Sequence, residues 1–160
     1  MATAQLGVKT GMTLLDDMEL FNRIADRITR ENETIDRAMA GRILDQAILF
    51  VAAAGRNPGM GLSPSEQIDV GWDAFILYTK EYFDFCARVA GRYVHHTPND
   101  TPGHEVTLTN GDPIRTPAET ADVLRECGFW VDDELWPAEA KANCTNCYVG
   151  DHDSGTVDDT

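Results

Sequence analysis

Residues Ser63–Tyr93, SPSEQIDVGWDAFILYTKEYFDFCARVAGRY, set the fold class. Ile68, Trp72, Phe75, Thr79, Tyr82, Cys86, Val89 and Tyr93 recur at alternating steps of three and four, so they share one stripe of a helix. Ile76, Phe83 and Ala90 lie beside that stripe, and Leu77, Tyr78 and Phe85 widen it. A helix apolar on so many sides sits between other elements. Ser63, Pro64 and Glu66 form a capping box with proline at the first helical position, and Gly91 marks the end. The expectation is one long central helix from Ser63 to about Gly91.

Two further helices precede it. One is expected from about Thr13 to Arg30, with Leu14, Met18, Phe21, Ile24 and Ile28 on its apolar face. The other runs from about Thr34 to Ala54, with Ile35, Met39, Ile43, Ala47, Phe50 and Ala54 in one stripe and Gly55 as its stop. Arg23, Arg27 and Arg30 fall on one side of the first helix, where Glu19, Asp26 and Glu31 can pair with them. The connector RNPGMGLS carries no Gly-Lys-Ser/Thr and is no phosphate loop. Three consecutive helices with short to moderate links predict an antiparallel three-helix bundle.

After Gly91 the chain changes character. Residues 92–106 are polar and punctuated by prolines. EVTLT, the Asn110-Gly111 turn and DPIRT suggest a short hairpin. Thr116, Pro117 and Glu119 open a fourth helix that Gly128 ends, and Phe129, Trp130, Val131, Leu135 and Trp136 dock on the bundle. The fold class is therefore mainly α: a three-helix bundle with a loop-rich C-terminal subdomain of a short hairpin and a fourth helix. Residues 1–12 read as a flexible terminus, 13–149 as one helical domain, and 150–160 as a disordered acidic tail.

Charge narrows the function. The chain has 160 residues and a formal net charge of −14. Residues 1–60 hold seven basic and eight acidic side chains; residues 61–160 hold six and nineteen. Phosphate would be repelled, which argues against nucleic acid and anionic membrane as partners. No run approaches the roughly 18 apolar residues of a membrane span, and the start lacks a secretory signal, so a cytoplasmic protein is expected. There the four cysteines are thiols or metal ligands, not disulfides.

Cys144-x-x-Cys147 is half of a zinc site, because two thiolates at that spacing can chelate one ion. Two more ligands are needed. His95 and His96 follow the central helix; adjacent residues on an extended chain point opposite ways, so joint ligation needs a turn there. His104, His152, Asp73 and Cys127 complete the candidates. Asp69 and Asp73 are four apart on one helical face, a spacing that can bring two carboxylates to one metal. Cys86 lies on the apolar stripe as a small hydrophobe, and no Ser-His-Asp or Cys-His set assembles.

IDVGWDAFILYTKEYFDFCARVAGRYVHH resembles a group of small uncharacterised actinobacterial proteins. Their stretch has an acidic residue, Gly or Ala, Trp-His, then Phe-Ile-x-x-Thr-x-x-Tyr-x-x-Phe-Cys and a closing His-His. GFWVDDELWP and CTNC are similar to the same group, and the Trp-His pattern is loosely similar to the glycine-rich domain-containing proteins of plants. The resemblance implies no activity. Asp73 stands where the group has His, so a ligand role there passes to a carboxylate or is lost.

Three readings of function follow. The first is a partner-binding module, acting through an unidentified protein, with a structural Zn2+ held by His95, His96, Cys144 and Cys147. The second is a metal-dependent enzyme using Asp73, His95 and His96 in a pocket lined by Trp72 and Tyr78. The third is an acidic regulator or nucleic-acid mimic that binds a basic partner.

Overall fold

The structure, a computed structural model, describes residues 7–98, 107, 108, 110–139 and 147–149. It is mainly helical. In chain order come α1 (Gly11–Leu15), α2 (Met18–Glu31), α3 (Arg37–Arg56), α4 (Glu66–Ile76), α5 (Thr79–Phe85) and a π-helical turn (Cys86–Ala90). They are followed by β1 (His96–Pro98), α6 (Pro117–Glu126), a 3-10 turn (Asp133–Leu135) and β2 (Cys147–Val149).

The core is built around α3, not around the Ser63–Tyr93 stretch. Every residue from Ile43 through Gly55 is buried, because α2, α4, α6 and the π-turn surround this helix. Asp36 caps it by accepting the Met39 N–H at 2.8 Å. Alone among the described helices, α3 is long and apolar enough to cross a membrane, and 78% of its apolar window is buried within the protein. Gly71 lets α4 approach closely: a Cβ there would lie 2.9 Å from the Ala47 Cβ.

The expected central helix is broken. Leu77 is the last residue with helical dihedrals, and Tyr78 leaves the helical path at ψ 66°. Its ring sits under Arg23 and Arg27, and its hydroxyl accepts from Arg27 Nε at 3.4 Å. The break has a purpose in packing. In a continuous helix Trp72 and Tyr82 would stand about 15 Å apart along the axis. Here the chain turns back, and Trp72 Nε1 donates to the Tyr82 hydroxyl at 3.1 Å.

The start of α4 also differs. Ser65, not Ser63, caps it by accepting the Ile68 N–H, while Ser63 Oγ donates to the Arg115 carbonyl at 2.6 Å. The first expected helix is two helices: Thr10 caps α1, Asp16 takes a left-handed φ of 53°, and Asp17 caps α2.

The C-terminal part docks through Trp136, which is buried, whereas Trp130, also expected to dock, is 43% exposed and contributes its backbone. Gln46, fully buried, donates to the Trp130 carbonyl and accepts from the Asp132 N–H and Trp136 Nε1. Arg42 holds the Asp132 carboxylate with two nitrogens. Lys9 bonds to both Gly128 and Trp130 through its backbone. Thr116 caps α6 as expected. Among the described residues of the expected hairpin, Thr107 and Pro113 form an antiparallel bridge around the Asn110-Gly111 turn. The segment expected as an acidic tail, 150–160, lies outside the described residues.

Candidate metal centre

The helical spacing of Asp69 and Asp73 places both carboxylates on one side of α4, one turn apart. A third group arrives from the opposite direction. After the π-turn, Gly91 adopts φ 82° and reverses the chain. Val94 is buried and its carbonyl accepts the Tyr82 O–H at 2.6 Å. Two residues later the His96 ring packs on Trp72, centroids 4.2 Å apart.

His96 Nε2 then lies 2.8 Å from Asp73 Oδ1 and 3.3 Å from Asp69 Oδ1. The His96 and Asp69 side chains are 14% and 12% exposed, and Asp73 is 59% exposed. Burial opposes the imidazolium, but hydrogen bonds and charge from Asp69 and Asp73 outweigh it and lift the His96 pKa to about 9. The ligand atoms of these three residues all lie within 4.8 Å of one another. One imidazole nitrogen and two carboxylate oxygens suit a divalent ion such as Zn2+, which would take the place of the His96 proton.

Of the residues singled out from sequence, Asp73 and His96 meet here. Asp69, paired with Asp73 by spacing alone, is the third member. His95 is exposed and packs against Tyr93 instead, centroids 4.8 Å apart. That divergence is what alternation along an extended chain requires. The backbone of Cys147 pairs opposite Pro98 in the antiparallel β1–β2 register, with His96 opposite Val149. Cys144, His104 and His152 lie outside the described residues. Cys127 is elsewhere, accepting from Asn57 Nδ2. Cys86 is a buried thiol whose pKa is pushed up by burial.

Of the residues expected to line a pocket, Trp72 is fully buried and Tyr78 is held by the two arginines. Instead an open groove of about 450 Å3 runs between α2 and α4. Ile28, Val70 and Leu77 are among its apolar lining, and Glu31, Asn32 and Asp73 among its polar lining. Asp73 thus belongs to both the groove and the cluster. Among the described residues Asp73 alone links them; no local sequence pattern marks the groove.

A family model described as UCP032817-like matches residues 11–116, a span that includes Asp69, Asp73 and His96. No curated protein and no solved structure matches the chain.

Proposed function

The chain belongs to the UCP032817-like family, and we propose that it is a small cytoplasmic, partner-binding protein in which Asp69, Asp73 and His96 bind a divalent metal ion, Zn2+ first among them. The observation that carries this reading is the convergence of both carboxylates on one nitrogen, His96 Nε2. Two carboxylates and a neutral imidazole balance the charge of a divalent cation. Three protein ligands leave at least one coordination position for another donor. A thiolate from Cys144 or Cys147 is the proposed fourth donor, since β2 brings the Cys147 backbone alongside β1. With it the site is four-coordinate, closed and structural, and the metal ties the C-terminal segment to the bundle. The acidic residues 61–160 would then face a basic protein partner.

A second reading, a metal-dependent enzyme, is favoured by the groove at Asp73. There the position beyond the three ligands takes water or substrate.

Elemental analysis of the untagged protein tests the proposal. One metal per chain, lost in Asp69→Asn/Asp73→Asn, supports the site. Loss in Cys144→Ser/Cys147→Ser as well assigns a thiolate as the fourth ligand and favours the structural reading. A metal-free protein after anaerobic purification with zinc supplied refutes the metal site.

A further inference from the structure

We infer that the α2–α4 groove is the ligand pocket of this metal centre and takes a small molecule with an aliphatic body and an oxygen-donor head that is uncharged in solution. The inference rests on the metal reading of Asp69, Asp73 and His96 in its open form, with no thiolate on the metal and one coordination position left for a ligand. It adds the chemistry of what the metal meets.

Three observations lead there. The first is continuity: Asp73 lines the groove, and its Oδ1 is 2.8 Å from His96 Nε2. An ion held by that cluster therefore sits at the groove's edge. The second is size and lining. About 450 Å3 falls within the range of small-ligand pockets. Its wall is aliphatic where Val70, Ile76 and Leu77 contribute, and Leu77 is 59% exposed at the rim. An aliphatic body would cover surface that water now covers.

The third is charge. A divalent ion with two carboxylates and a neutral imidazole carries no net charge. Glu31 stands on the opposite wall, with its charge already matched by Arg27 at 2.6 Å. The groove therefore offers no uncompensated cation to an anionic molecule, and the chain's net −14 repels one from a distance. A neutral head with an oxygen donor, such as a carbonyl or hydroxyl, meets no such penalty. Nucleotides and other polyanions are excluded on the same ground.

The test uses the full chain loaded with Co2+ and a homologous series of aliphatic hydroxamic acids, from acetyl to octanoyl, which are uncharged in solution near pH 7 and release the N–OH proton to solvent when they chelate the metal. Binding is read from the visible spectrum of the cobalt. Affinity should rise about fourfold per added methylene until the groove is filled. In Leu77→Gln that dependence should vanish, while Co2+ still binds at Asp69, Asp73 and His96. Leu77 is exposed, so this variant keeps the fold. If Co2+ binds at Asp69, Asp73 and His96 but chain length has no effect, the groove is not the ligand pocket and the metal reading stands. If Co2+ does not bind, or binds equally to Asp69→Asn/Asp73→Asn, the metal reading itself fails and the inference with it.

Discussion

The ring of His96 lies against that of Trp72, centroids 4.2 Å apart at 54°, and its Nε2 reaches the two carboxylates that flank Trp72 in sequence, Asp69 and Asp73. One helix thus supplies both the platform that orients the imidazole and the charges that fix its protonation.

Trp72 therefore reports on the site. Divalent metal binding should change its fluorescence, with Cu2+ quenching it and Zn2+ shifting it. Asp69→Asn should weaken Zn2+ binding by at least about tenfold, because removing even an indirect partner of a metal ligand costs that much. His96→Asn should abolish the tryptophan response. A response to Zn2+ that survives both substitutions would place the metal elsewhere.

The same geometry sets a pH dependence. The His96 pKa is about 9 in the folded protein, against 6.5 for an unperturbed histidine. A raised folded-state pKa gives stability that is fully present below pH 6.5 and is lost as pH rises through 9. Allowing for screening at the exposed Asp73, the contribution is about 1–2 kcal/mol. Urea titrations of metal-free protein at pH 6.5 and 10 should differ by that amount, and Asp69→Asn/Asp73→Asn should reduce the difference. Zn2+ binding runs the other way: it displaces the proton, so affinity should rise by up to about tenfold per pH unit between 6.5 and 9.

Tyr82 positions the site without touching it. Its hydroxyl accepts from Trp72 Nε1 at 3.1 Å and donates to the Val94 carbonyl at 2.6 Å, linking the platform to the strand that carries His96. Tyr82→Phe leaves two buried groups unpaired and should destabilise the protein by about 2–3 kcal/mol. Destabilisation alone would leave the His96 titration in place. The positioning role predicts that the folded variant has a His96 pKa below about 9 by NMR and a weaker Zn2+ affinity.

The bundle was legible because its period is local. The stripes of α2 and α3, and the Thr116 cap with proline following, follow from side-chain spacing and orphan N–H groups. The break at Leu77–Tyr78 was not legible. No Pro or Gly marks it, and its causes are distant in sequence: Arg23 and Arg27 on α2 hold Tyr78, and Val94 holds Tyr82. The centrality of α3 was masked too, since its buried Asp45 and Gln46 look like solvent-facing residues. Gln46 is buried because three groups from Trp130–Trp136 bond to it. At the site, helical spacing suggested Asp69 with Asp73. The choice of His96 over His95 needed the strand direction after Gly91.

Gln46 accordingly carries a prediction of its own. Gln46→Leu preserves much of the volume but strands the Trp130 carbonyl, the Asp132 N–H and Trp136 Nε1 in the core. The expected loss is about 2–4 kcal/mol. Hydrogen exchange should localise it to the segment after α6, with α2 and α4 protected as before. Uniform loss of protection would instead show that this segment unfolds together with the bundle.

Two glycines of α3 should respond oppositely to the same substitution. At Gly55 a Cβ would lie 2.5 Å from the Ala90 Cβ and 2.7 Å from the Ala90 carbonyl oxygen, so helix and π-turn must separate to admit it. Overpacking of that kind costs about 1–3 kcal/mol. At Gly41 the nearest atom is the end of the flexible Arg37 side chain, at 3.2 Å. Arg37 is bonded there to Asp26 and Asn22, yet it need give way by only a few tenths of an ångström, so the gain in helix propensity, up to about 1 kcal/mol, should dominate. Gly41→Ala should therefore raise the thermal midpoint and Gly55→Ala lower it. The π-turn lies upstream of Gly91 and His96, so Gly55→Ala should also weaken Zn2+ binding while Gly41→Ala leaves it unchanged. Equal affinities in the two variants would show that β1 is set by the Tyr82–Val94 bond alone and not by the seating of the π-turn on α3.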